Sequence, residues 1–131
     1  MLSEDQKYWK GYWKQGSTRG DMSVEMTFGA DGSIHGFGFD ILGTFKIEGT
    51  HSNYEKFTFT KTMITPEEWT IEYEGHFVRK DLIQGKYRAG VSTGPFEFRL
   101  VENDAEVAEI SKALSIQKEN ISKSKNVNSH G

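Results

Sequence analysis

The chain contains no cysteine. That excludes disulfides and thiolate metal sites, and nothing in the composition points to an oxidising compartment. No apolar run approaches membrane-spanning length, and the opening MLSEDQKYWK lacks the apolar stretch of a secretory signal. Charge of one sign is lacking too. The formal net charge is −3 and the basic residues are scattered rather than clustered, which argues against nucleic acid and against an anionic membrane as partners. The expectation is a soluble, cytoplasmic protein. Proline is scarce, at 2 residues in 131, whereas glycine numbers 14 and aromatics make up 13%. This balance favours one all-β domain built from tight turns.

Residues 21–40, DMSVEMTFGADGSIHGFGFD, carry the pattern most openly. Met22, Val24, Met26 and Phe28 alternate with Ser23, Glu25 and Thr27, the period of a strand with one buried face. Ala30-Asp31-Gly32 suits a three-residue hairpin loop with Gly32 in the left-handed position. That loop sets Phe28 opposite Ile34, Met26 opposite Gly36, Val24 opposite Gly38 and Met22 opposite Asp40. Large side chains then face glycines, as the interior of a small, strongly curved barrel requires.

The same alternation marks strands at 7–15, 44–52, 55–63, 69–78, 82–89 and 95–101, with GSTRG and GVSTG as connecting turns. A TPEE loop at 65–68 places a proline outside the strands. Eight short strands joined in sequence predict an antiparallel up-and-down β-barrel over residues 1–102. Residues 103–131 read as a short C-terminal helix and a flexible tail. Asn103 or Asp104 can cap a helix over 104–118, with Val107, Ile110 and Leu114 at helical spacing, and the polar sequence beyond Glu119 is expected to be disordered.

Gly11-Tyr12-Trp13, on the first strand, resembles the Gly-x-Trp opening of the calycin superfamily of lipocalin-like and avidin-like barrels. The GST turn, the GADG loop and the glycine-containing third strand are similar to the avidin side of that group. The resemblance implies a closed eight-stranded barrel with one open end and a small apolar cavity. It implies that Arg99, near the end of the last strand, packs over Trp13, and that Ser17 stands where such barrels contact a ligand. Biotin is not implied, because Gln15 replaces the expected Asn and the later strands carry Phe57, Phe59 and Tyr87 in place of tryptophans.

The inward set is rich in aromatics, and the glycines facing it suggest space for a small hydrophobic or aromatic molecule. The candidate ligand-binding residues are Trp13, Met26, Asp40, Phe57, Phe59, Lys61, Trp69, Tyr73 and Tyr87. Asp40, His51 and Lys61 share the inward parity near strand ends, so they are expected to reach solvent at a rim. The sharper alternative pairs Asp40 with Lys61 in a partly buried mouth. No metal-ligand cluster assembles from the four histidines, and no cofactor is implied. Two other functions remain open. One is a small barrel isomerase or cyclase using Asp40, Lys61 or Tyr87 as acid or base; the other is an interaction barrel with a filled interior. Arg19-Gly20-Asp21 spells an integrin-type tripeptide on an expected turn, which is taken as incidental. Phe37 and Phe39 point outward and need a cover, either the tail helix or a second copy of the chain.

Overall fold

The hairpin at 21–40 forms with the register its alternation dictates. In the computed structural model, residues 6–65 and 67–130 are described, with side chains to Ser122 in the final helix. Strands β2 (Thr18–Phe28) and β3 (Ser33–Asp40) pair Met22 with Asp40, Val24 with Gly38, Met26 with Gly36 and Phe28 with Ile34. Gly32 takes a φ of 91°, and the Gly29 N–H donates to the Ser33 carbonyl at 2.8 Å, which leaves the expected three-residue loop. A residue without Cβ holds that backbone at no steric cost.

The other strands are β1 (Gln6–Gln15), β4 (Gly43–Ser52), β5 (Lys56–Met63), β6 (Trp69–Arg79), β7 (Leu82–Ala89) and β8 (Ser92–Val101). Each pairs antiparallel with the next, and β8 returns to β1, closing an eight-stranded up-and-down barrel. Strands β2 and β8 start three residues earlier than the alternation suggested, because the turns before them are tighter. Gly16 and Gly90, at φ 59° and 66°, let the chain reverse without the longer loops. As a result Arg19-Gly20-Asp21 lies within β2, and Arg19 Nε donates to its neighbour's Asp21 Oδ1 at 2.9 Å. The tripeptide is a self-paired strand segment, not a presented turn. The proline of the 65–68 loop, Pro66, lies outside the described residues.

The interior is filled. A Cβ built on Gly38 would stand 2.3 Å from Val24 Cγ2 and 2.9 Å from Phe45 Cε1, and one on Gly36 would stand 2.9 Å from Met26 Cγ. These glycines are sockets for neighbouring side chains, which corrects the expectation that they open a cavity. Below the mouth, Phe57 stacks on Phe59 at 5.8 Å and Phe59 on Tyr73 at 4.9 Å, while Phe96 meets Tyr73 edge-on at 4.8 Å. Met26, Phe57 and Phe59 therefore belong to the packed plug of the barrel.

The helix α1 (Asp104–His130) is longer than the apolar spacing marked, its backbone staying helical through the polar sequence beyond Glu119. Asn103 caps it, its Oδ1 accepting the Glu106 N–H at 3.1 Å. Ile110 and Leu114 are buried with Val101 against Tyr8, Phe37 and Phe39, and Val107 joins them. Lys118 Nζ closes the contact with Glu25 Oε2 at 2.6 Å. The outward phenylalanines thus pack, half-buried, against the chain's own helix.

Candidate functional site at the barrel mouth

Alternation along β5 puts Lys61 on the same inward face as Phe57 and Phe59, two residues inside the strand end at Met63. Its partner comes from the end of β3. Asp40 Oδ1 accepts the Leu42 N–H at 2.9 Å, an Asx-type turn that fixes the carboxylate. Its other oxygen, Oδ2, turns inward and receives Lys61 Nζ at 2.5 Å and Trp13 Nε1 at 3.2 Å. The side chains of Lys61 and Asp40 are 1% and 0% exposed. This is the sharper of the two readings of these residues, and it replaces the expectation that both reach solvent. Lys61 Nζ also donates to the Tyr73 hydroxyl at 3.2 Å and lies 4.4 Å from the centre of the Phe45 ring. Met22 Sδ, at 3.7 Å, is its remaining polar neighbour.

Burial sets the protonation of this group. Loss of water lowers the pKa of Lys61 below the ordinary lysine value, while the Asp40 charge and hydrogen bond oppose that fall. The Tyr73 phenol is pushed up from its ordinary 10.0, first by burial and then by the Asp40 and Tyr87 charges. Burial also raises Tyr87. The cluster consequently holds two protonated phenols beside an ion pair that is shielded from solvent.

Six of the nine candidate residues assemble at this end of the barrel: Trp13, Asp40, Lys61, Trp69, Tyr73 and Tyr87. Five of them, with Gln15, Leu42, Ile71 and Ala89, line a cleft of about 50 Å³ whose floor holds Lys61. Tyr87 is partly committed, its hydroxyl donating to the Lys14 carbonyl at 2.7 Å. Trp69 stands at the rim, where Ile41 and Val91 on neighbouring turns are 77% and 102% exposed. Sequence reasoning missed Leu42 and Met22. Leu42 sits in a turn where no periodicity operates, whereas the register opposite Asp40 already pointed to Met22.

Other expected placements differ. His51 lies at the opposite end, where Nε2 donates to the Gly29 carbonyl at 2.7 Å and Nδ1 accepts the Tyr54 N–H at 3.0 Å. Arg99 is exposed and pairs with Lys10 across β1, while Phe96 is the residue beside Trp13, so no Arg99–Trp13 contact forms. Ser17 is exposed on the β1–β2 turn. The far end of the barrel carries a wider depression of about 880 Å³, floored by Trp9, Phe28 and Phe77. Its charged side chains stand on the rim, with Arg79 and Asp81 paired to each other at 3.1 Å. The buried Lys61–Asp40 pair is at the mouth, whereas His51 at the far end is held by the Gly29 carbonyl and the Tyr54 N–H.

Among the described residues, no helix is long and apolar enough to cross a membrane. Compared with protein-family models, curated proteins and solved structures, the chain matches none.

Proposed function

We propose that this is a cytoplasmic small-molecule-binding protein of calycin-like type, holding a small hydrophobic or aromatic molecule at the barrel mouth. The observation that carries the reading is the buried Lys61–Asp40 pair beneath an apolar rim. A buried ion pair contributes little to stability compared with apolar residues of the same volume. Convergent polar groups at the floor of an apolar recess are what a ligand site needs. The cleft has room for a polar head only, at about 50 Å³. The apolar body of the ligand would lie across Leu42, Trp69 and their neighbours on the rim, removing them from water.

The isomerase or cyclase alternative gains from the same geometry, since an acid and a base stand within hydrogen-bond reach of each other. Tyr87 is its weakest member, because its hydroxyl is engaged by the Lys14 carbonyl.

Indole N–H resonances test the reading. Titration with 1-hexanol and with phenol should shift Trp13 and Trp69 while leaving Trp9 unmoved. Lys61→Met should abolish the response. Shifts confined to Trp9, or no shift with either probe, would overturn it.

A further inference from the structure

Lys61 offers more than a hydrogen bond. Its amine nitrogen lines the cleft, stands 2.5 Å from a carboxylate oxygen and 3.2 Å from a phenol oxygen, and is shielded from bulk water. A primary amine beside a base and an acid is the arrangement that condenses with a carbonyl group. Resting on the mouth as the ligand site, we propose that Lys61 captures apolar aldehydes as a Schiff base, with Asp40 as its counter-ion.

The protons and electrons balance within the cluster. The Lys61 ammonium passes one proton to Asp40, which frees the nitrogen lone pair. That pair forms a bond to the aldehyde carbon, and the carbonyl π electrons move to oxygen. Tyr73 gives this oxygen a proton and recovers one from the nitrogen, leaving a neutral carbinolamine. Asp40 then returns its proton to the hydroxyl, which departs as water with the C–O bonding electrons. The nitrogen lone pair completes the C=N bond. In total, ammonium plus aldehyde becomes iminium plus water, with Asp40 again a carboxylate beside a positive nitrogen.

The shape of the mouth selects the class of carbonyl compound. An aldehyde places only hydrogen beside its reacting carbon, so it fits a floor of about 50 Å³, whereas a ketone brings a second substituent. Its apolar chain meets Trp13, Leu42 and Trp69 on the way out. Burial weakens the hold of Lys61 on its proton, which helps the first step.

The experiment treats the full chain with hexanal and sodium cyanoborohydride at neutral pH and maps alkylated lysines by mass spectrometry. Cyanoborohydride reduces the iminium to a stable secondary amine, so each lysine reports its own rate. Lys61 should react at least about tenfold faster than the outward Lys46 and Lys86, because a positioned acid–base pair accelerates condensation at its own site. Tyr73→Phe should slow Lys61 by at least about tenfold while leaving the outward lysines unchanged. Alkylation of Lys46 and Lys86 with Lys61 untouched overturns the proposal, as does a Tyr73→Phe variant that reacts like the parent. If 1-hexanol still shifts Trp13 and Trp69 while Lys61 stays unreacted, covalent capture fails and the binding reading stands. If both fail, the mouth is not a ligand site.

Discussion

Removing one member of the buried pair should do unequal damage depending on which member goes. In Lys61→Met, the Asp40 carboxylate keeps two donors, Leu42 N–H at 2.9 Å and Trp13 Nε1 at 3.2 Å. In Asp40→Asn, the ammonium is left with a phenol oxygen, a thioether and one amide oxygen that must also serve Trp13 or Leu42. Such a buried ammonium sheds its proton. Neutralising a lysine of ordinary pKa at pH 7 costs about 4.6 kcal/mol, at roughly 1.4 kcal/mol per pH unit. This sets the ceiling for Asp40→Asn, and a loss of about 3–4.5 kcal/mol is expected. The neutral lysine adds a signature. The folded state then binds one proton fewer than the unfolded chain, so the stability of the variant rises by about 1.4 kcal/mol per unit from pH 7 to 9. Lys61→Met should cost about 2–3 kcal/mol, with no slope from this site. The double variant should be more stable than Asp40→Asn alone, since no lysine has to be neutralised on folding. Urea unfolding followed by circular dichroism at pH 7, 8 and 9 measures all three. A flat profile for Asp40→Asn, or a larger loss for Lys61→Met, would refute the reasoning.

Three further outcomes follow from the packing. Gly38→Ala should destabilise by about 1–3 kcal/mol through overpacking against Val24 and Phe45; a neutral result would mean that the socket is loose. Because the folded phenols of Tyr73 and Tyr87 are raised above 10.0, the stability they contribute is present below that pH and lost as pH rises past it. Ultraviolet titration should therefore show Tyr73 ionising only as the barrel unfolds, and its reversible ionisation near pH 10 would contradict its burial. Deleting residues 103–131 should expose Phe37 and Phe39 and drive self-association in sedimentation velocity, whereas an unchanged monodisperse barrel would show that the helix is not their essential cover.

Much of the fold was legible because a strand of period 2 reports its buried face directly. The register of β2 on β3 followed from one loop, and the pairs Val24–Gly38 and Met26–Gly36 stand as alternation placed them. What alternation cannot report is depth along the barrel axis. It set Asp40, His51 and Lys61 on one face, yet His51 belongs to the opposite end from the other two. Nor does it distinguish empty space from occupied space. A glycine facing a methionine looks the same in sequence whether the methionine leans in or away, and here Met26 leans in. The helix lay within reach of sequence because Val107, Ile110 and Leu114 repeat at its period and Phe37 and Phe39 demanded a cover.

Depth also separates the two places where the proposed ligand could sit. If the glycines had opened the barrel centre, affinity would come from aromatic walls, and the charged pair would be a rim ornament. With the centre filled by Phe57, Phe59 and Phe96, an internal ligand would have to displace stacked rings, at the cost of the packing that closes the barrel. The mouth carries no such cost. Its floor presents a lysine whose charge is already balanced, so a neutral polar head can approach without bringing an uncompensated charge into an apolar site. Its rim leaves Ile41, Leu42, Trp69 and Val91 in water, where covering them is favourable. Trp13 joins the two levels, lining the cleft with its ring while its N–H holds the Asp40 carboxylate. Under the proposed function, a ligand pressing on that ring would act on the ion pair through the single Trp13–Asp40 hydrogen bond, which would couple binding at the mouth to its acid–base pair.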